Sequence, residues 1–131
     1  MTVKSWIHDQ TDLNIAQFDT AMEIYYPESK SYVRDPGEHI KRICEECNYL
    51  EAVKLIEWNK YLSPGSSVMD MGCGGGWLTA YLSKFEFVKT IYALDSSKQY
   101  LSGMMPQVVK LMEGKIKKVL GLVRIVLYFQ V

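Results

Sequence analysis

Residues 68–83 read VMDMGCGGGWLTAYLS, and the fold turns on how this stretch is read. Val68 to Met71 is a short apolar run with no helical spacing, bounded by turn formers, which suits a buried parallel strand. Gly72 to Gly76 is a glycine-rich turn. Trp77 to Phe85, with Trp77, Leu78, Ala80, Tyr81 and Leu82 apolar, reads as a helix.

Downstream, Thr90 to Leu94 (TIYAL) is rich in β-formers and reads as a second strand. Ser96 or Ser97 caps a helix running to about Glu113, and Gly114 closes it. Val119 to Phe129 is a third strand candidate. The order β-α-β-α-β with short links predicts an α/β fold whose sheet is mostly parallel and doubly wound.

Upstream, residues 1–10 read as an irregular arm. Leu13, Ala16, Ala21, Ile24 and Tyr25 predict a helix from about Asp12, capped by Thr11 or Asp12 and ended by Pro27. Residues 27–37 are loop. Ile40, Ile43, Cys44, Cys47 and Leu50 form one apolar helical stripe, which Ala52, Val53, Leu55, Ile56 and Leu62 extend after a bend near Asn48. Ser63-Pro64-Gly65 stops it. The expectation is one domain over 1–131, with arm and helices in 1–62 and a partial Rossmann-like core in 63–131.

The glycine turn meets three physical needs. A sharp reversal needs residues that tolerate positive φ. A ligand close to the backbone leaves no room for Cβ atoms. The following helix offers free N–H groups and the positive end of its dipole. A phosphate loop would end in Gly-Lys-Ser/Thr, but here Gly76 is followed by Trp77 and Leu78. The dinucleotide fingerprint fits Gly72 and Gly74, but its sixth position is Trp77, too bulky for close strand–helix packing. The pattern that fits is D-x-G-x-G-x-G, formed by Asp70, Gly72, Gly74 and Gly76.

On these residues the segment resembles motif I of the class I, Rossmann-like S-adenosylmethionine-dependent methyltransferases. The resemblance implies that the loop wraps the methionine part of the cofactor and that Asp70 helps hold its ammonium end. Asp95 lies 19 residues past Gly76, after TIYAL. An acid about 20 residues on, at the end of the second strand, can hydrogen-bond both ribose hydroxyls. IYALDSS is similar to the family's motif II and matches Asp95 to that acid. The cofactor-binding set is therefore Asp70, Gly72, Cys73, Gly74, Gly76, Asp95 and Ser96, with S-adenosyl-L-methionine as cofactor and no metal.

The resemblance covers roughly residues 60 to 113. The family places an acidic or polar residue after its third strand to meet the adenine, whereas no acid follows Glu113 here. In the family the first strand pairs with a fourth, and the sequence reaches Val131 before any counterpart of it. The expectation is that a homodimer or partner chain completes the sheet, or that the chain is a fragment of a longer enzyme, in preference to Val119–Phe129 pairing in an unusual place. The acceptor is expected to be a small molecule. A non-catalytic cofactor-binding half domain is the alternative. His8 and His39 are the candidate bases, with Tyr25, Tyr26 and Tyr32 as lid or packing residues, and none matches a family motif.

Composition bounds the remainder. The hydrophobic content is 48% and the net charge zero, which excludes a disordered chain and a binder driven by phosphate charge. The halves differ: residues 1–95 carry −5 and residues 96–131 carry +5. That basic end reads as a solvated surface. Three cysteines suit a reducing cytoplasm better than a disulfide framework, and Cys44 and Cys47 read as buried side chains on the stripe. Neither a secretory signal nor a membrane span is read from the sequence.

Overall fold

The computed structural model describes residues 2–5, 35–95 and 97–123. The expected helix from Asp12 to Tyr25, His8, Ser96, the three tyrosines 25, 26 and 32, and the stretch after Val123 lie outside the described residues.

Strand β1 is Thr2–Ser5, helix α1 Pro36–Lys41, α2 Tyr49–Lys54, β2 Ser66–Met71, α3 Trp77–Ser83, β3 Val88–Asp95, α4 Met105–Leu111 and β4 Val119–Val123. The four strands form one sheet in the order β1-β4-β3-β2. Every neighbouring pair is parallel. This is an α/β fold with a parallel sheet and flanking helices, compatible with a Rossmann-like core.

Several readings change. Residues 1–10 are not wholly an irregular arm, because Thr2–Ser5 pairs with Leu120 to Val123 of β4. Pro36 and Gly37 are not loop but the first turn of α1. The Asp35 side chain accepts from the Glu38 N–H at 3.1 Å, and proline at the first helical position has no N–H to leave unpaired. The long apolar helix after Ile40 is broken. A π-turn at Arg42–Glu46 runs into Asn48, whose φ is 59°. The wider turn and the left-handed residue rotate α2 and its flanks off the stripe. Cys47 is exposed rather than buried, Cys44 is half-buried, and Leu55 is 85% exposed.

The sequence reads β2 as a buried strand, but its burial alternates. Val68 packs against Leu82, Val88 and Ile91. Met69 and Met71, pointing the other way, are 46% and 69% exposed. Among the described residues β2 is an edge strand, as β1 is at the other side, so one edge and one face of β2 lack the cover a central strand has.

The main core joins Ala80 of α3, Ala93 of β3, Met105, Val108 and Val109 of α4, and Val119 and Val123 of β4. Burying each large side chain contributes about 1.5–3 kcal/mol. The residue before Gly114, Glu113, takes the left-handed φ of 57° that ends α4, and the Gly114 N–H donates to the Val109 carbonyl at 2.8 Å. Gly114 lies so close to α3 that a Cβ there would stand 2.7 Å from Ser83 Oγ. No helix among the described residues is long and apolar enough to cross a membrane.

Candidate functional site

β2 and β3 run side by side, with Asp70 beside Ala93 and Met71 beside Leu94, so both strands end at one rim of the sheet. There the chain bends through Gly72, Gly74 and Gly76, with φ of 70°, 53° and 86°. A side chain in this region costs about 1–2 kcal/mol, which is why glycine stands at these alternate positions. The bend is anchored to β3: the N–H groups of Gly72 and Cys73 both donate to the Leu94 carbonyl, at 2.7 and 3.0 Å. The Gly76 N–H donates to the Cys73 carbonyl at 3.0 Å, and α3 starts at Trp77.

The two sides of the bend differ. A Cβ on Gly72 or Gly74 would meet nothing within 4 Å. A Cβ on Gly76 would stand 2.7 Å from Met105 Cγ, and one on Gly75 would stand 2.5 Å from His39 Nε2 and 2.7 Å from Met104 Sδ. One side is open to a ligand and the other is packed against α1 and the start of α4. Cys73 turns its thiol into the core, and burial pushes that thiol far above an ordinary cysteine. At ordinary pH it is therefore a neutral packing group, and what Cys73 offers the loop is its backbone.

Both predicted acids are held in place. Asp95 is the last residue of β3. Its Oδ2 accepts from the Gly74 N–H and its Oδ1 from the Ser97 N–H, each at 2.8 Å. Asp70 Oδ2 accepts from Thr79 Oγ1 at 2.7 Å, which ties the end of β2 to α3. Burial raises the Asp70 carboxyl above an ordinary aspartate and the nearby Asp95 charge adds to this, while hydrogen bonds from the Thr79 side chain and backbone oppose it. The Asp95 charge raises the proton affinity of Asp70, so a cation between or beside the two acids is favoured. A carboxylate has about four lone-pair sites, so each acid keeps acceptor capacity for a ligand.

These features fit the group the sequence implies. S-adenosylmethionine carries a sulfonium and an ammonium, and a ribose with two hydroxyl donors. The open side of Gly72 and Gly74 lies beside the acid expected at the ribose. Among the described residues no group of three or more His, Cys, Asp or Glu side chains could hold a metal ion.

The structure thus brings Asp70, Gly72, Cys73, Gly74, Gly76 and Asp95 together. Three neighbours fall outside the set read from the sequence. Thr79, fully buried, holds Asp70. Gly75 lies outside the alternate-glycine pattern, and only the packing of His39 and Met104 shows why it has no side chain. His39 belongs to a segment 36 residues away, and no local signal links it to the loop.

Over 87 residues, 62% of this chain, the sequence is 32% identical to the ubiquinone biosynthesis O-methyltransferase, mitochondrial, of Saccharomyces cerevisiae. The match spans 28% of that enzyme's length. No family model matches the chain. No solved structure matches it at a significant level.

Proposed function

We propose that the bend at Gly72–Gly76 and Asp95 hold S-adenosyl-L-methionine, and that the chain serves methyl transfer from it to a small-molecule acceptor. The observation that carries this reading is the 2.8 Å hydrogen bond from the Gly74 N–H to Asp95 Oδ2. It holds Asp95, the acid we assign to the ribose, directly beside Gly74, so that one nucleotide could touch both. The partial similarity to an O-methyltransferase supports the same class and favours a hydroxyl oxygen as the acceptor atom.

Bound here, the cofactor would supply a methyl group already activated by its sulfonium. The protein's residues then have positional and electrostatic work. Asp95 accepts from the ribose hydroxyls with the lone pairs its backbone bonds leave free. Asp70 faces the ammonium end while Thr79 holds its carboxylate still. Gly72 and Gly74 let the ligand lie against the backbone. In-line orientation of this kind is worth several kcal/mol of barrier, up to about 7–11 in the best cases. The three free cysteines support a reducing compartment, and we place the reaction in the cytoplasm.

Titration calorimetry with S-adenosylmethionine and S-adenosylhomocysteine tests binding, and a labelled-methyl assay over hydroxylated acceptors tests transfer. Saturable binding of both ligands is expected. Binding without transfer to any acceptor would favour the non-catalytic half domain, and no binding would end the proposal.

A further inference from the structure

The one buried side-chain nitrogen or oxygen without a hydrogen-bond partner among the described residues is Nε2 of His39. An orphaned polar atom costs about 1–3 kcal/mol and calls for a reason. Its position supplies one. His39 stands on α1 with its Nε2 edge against Gly75, in the place where a side chain at 75 would be. The packing that seals Nε2 is thus the wall of the glycine bend itself. The residue as a whole is part-exposed, and to meet a ligand on the open side of the bend the ring must turn outward about its side-chain torsions.

We propose that His39 is a ligand-binding residue whose Nε2–H donates to a carboxylate, the one at the amino-acid end of the bound nucleotide. This rests on the cofactor reading above and extends it to a residue outside the glycine motif. The charge pattern selects the group. Asp70 and Asp95 can serve hydroxyls and an ammonium, but both repel a carboxylate. The ligand's carboxylate needs donors: the start of α3 offers backbone N–H groups, and His39 is the imidazole side chain that α1 lays against the same bend. Burial holds the ring below an ordinary histidine, hence neutral in the absence of ligand. A neutral imidazole still donates one N–H, and the hydrogen bond needs no added proton.

The test compares S-adenosylmethionine with its decarboxylated analogue, which keeps the sulfonium and the amine and lacks only the carboxylate. Calorimetry on the full chain is expected to show a preference for the carboxylate-bearing ligand of about tenfold or more, as one charge-assisted hydrogen bond provides. His39→Ala should shrink that preference to within about threefold, and His39→Gln, which restores an N–H donor, should recover part of it. Asp95→Ala should weaken both ligands alike and leave the preference standing. In the unsubstituted chain, the imidazole ¹⁵N resonances of His39, assigned against His8→Gln, should move with S-adenosylmethionine and stay with the analogue. A preference unchanged in His39→Ala, or resonances that ignore the carboxylate, would make His39 a packing residue only. An unsubstituted chain that binds neither ligand would instead sink the cofactor reading, and this one with it.

Discussion

The carboxylate of Asp95 accepts from the backbone N–H of Gly74 at 2.8 Å, across 21 positions of sequence. One acid thus braces the bend that it is proposed to share with a ligand. Its second oxygen holds Ser97, so the ends of β2 and β3 and the start of the next helix meet on a single side chain.

Replacing Asp95 should therefore have two separable effects. Asp95→Ala leaves the Gly74 and Ser97 N–H groups without their acceptor and should cost about 1–3 kcal/mol in urea unfolding. It should also weaken S-adenosylhomocysteine by about tenfold or more, measured at a temperature where the variant is still folded. Stability lost with affinity unchanged would confine Asp95 to the bracing role.

The glycines should respond in opposite ways on the two sides of the bend. Gly76→Ala combines a left-handed φ of 86° with a Cβ placed 2.7 Å from Met105 Cγ. Strain and overpacking together should cost about 2–4 kcal/mol. Gly74→Ala meets nothing within 4 Å and should cost only about 1–2 kcal/mol, from its φ. Yet Gly74→Ala fills the open side, so it should lower cofactor affinity more than its small stability loss suggests. Paired denaturation and calorimetry distinguish the two.

Asp70 sets a pH dependence. Its folded carboxyl, raised chiefly by burial, takes up a proton more readily than the unfolded one. The stability linked to that proton is fully present below the unfolded value, about pH 4, and is lost as pH rises through the folded value. Asp70→Asn removes the titration but keeps an oxygen for Thr79. Relative to the unsubstituted chain, the variant should thus fare better at pH 7 than at pH 3. A stability difference that is flat between these pH values would show that burial does not penalise the Asp70 charge.

Much of the site was legible in the sequence because its cues are local. The β2–bend–α3 unit follows from an apolar run, alternating glycines and a helical stripe, all within 68–83. Asp95 was legible by its spacing, since a helix and a strand of ordinary length bring it back to the same rim. Legibility failed where packing overrides local pattern. Cys47 looked buried by periodicity, but the π-turn at Arg42–Glu46 and the left-handed Asn48 turn it to solvent. Thr2–Ser5 is too short to announce a strand and becomes one only because β4 offers it a parallel edge.

By itself the sequence determined a parallel α/β core, a glycine bend after its motif strand and two acids at the ends of adjacent strands, because backbone geometry at glycine and side-chain periodicity are local properties. Tertiary structure alone decided that Thr79 grips Asp70, that Asp95 clasps Gly74, and that His39 lies in the space Gly75 leaves empty. Those contacts join side chains that no local pattern pairs, and only the packing of α1, α3 and α4 at the rim of the sheet brings them within reach.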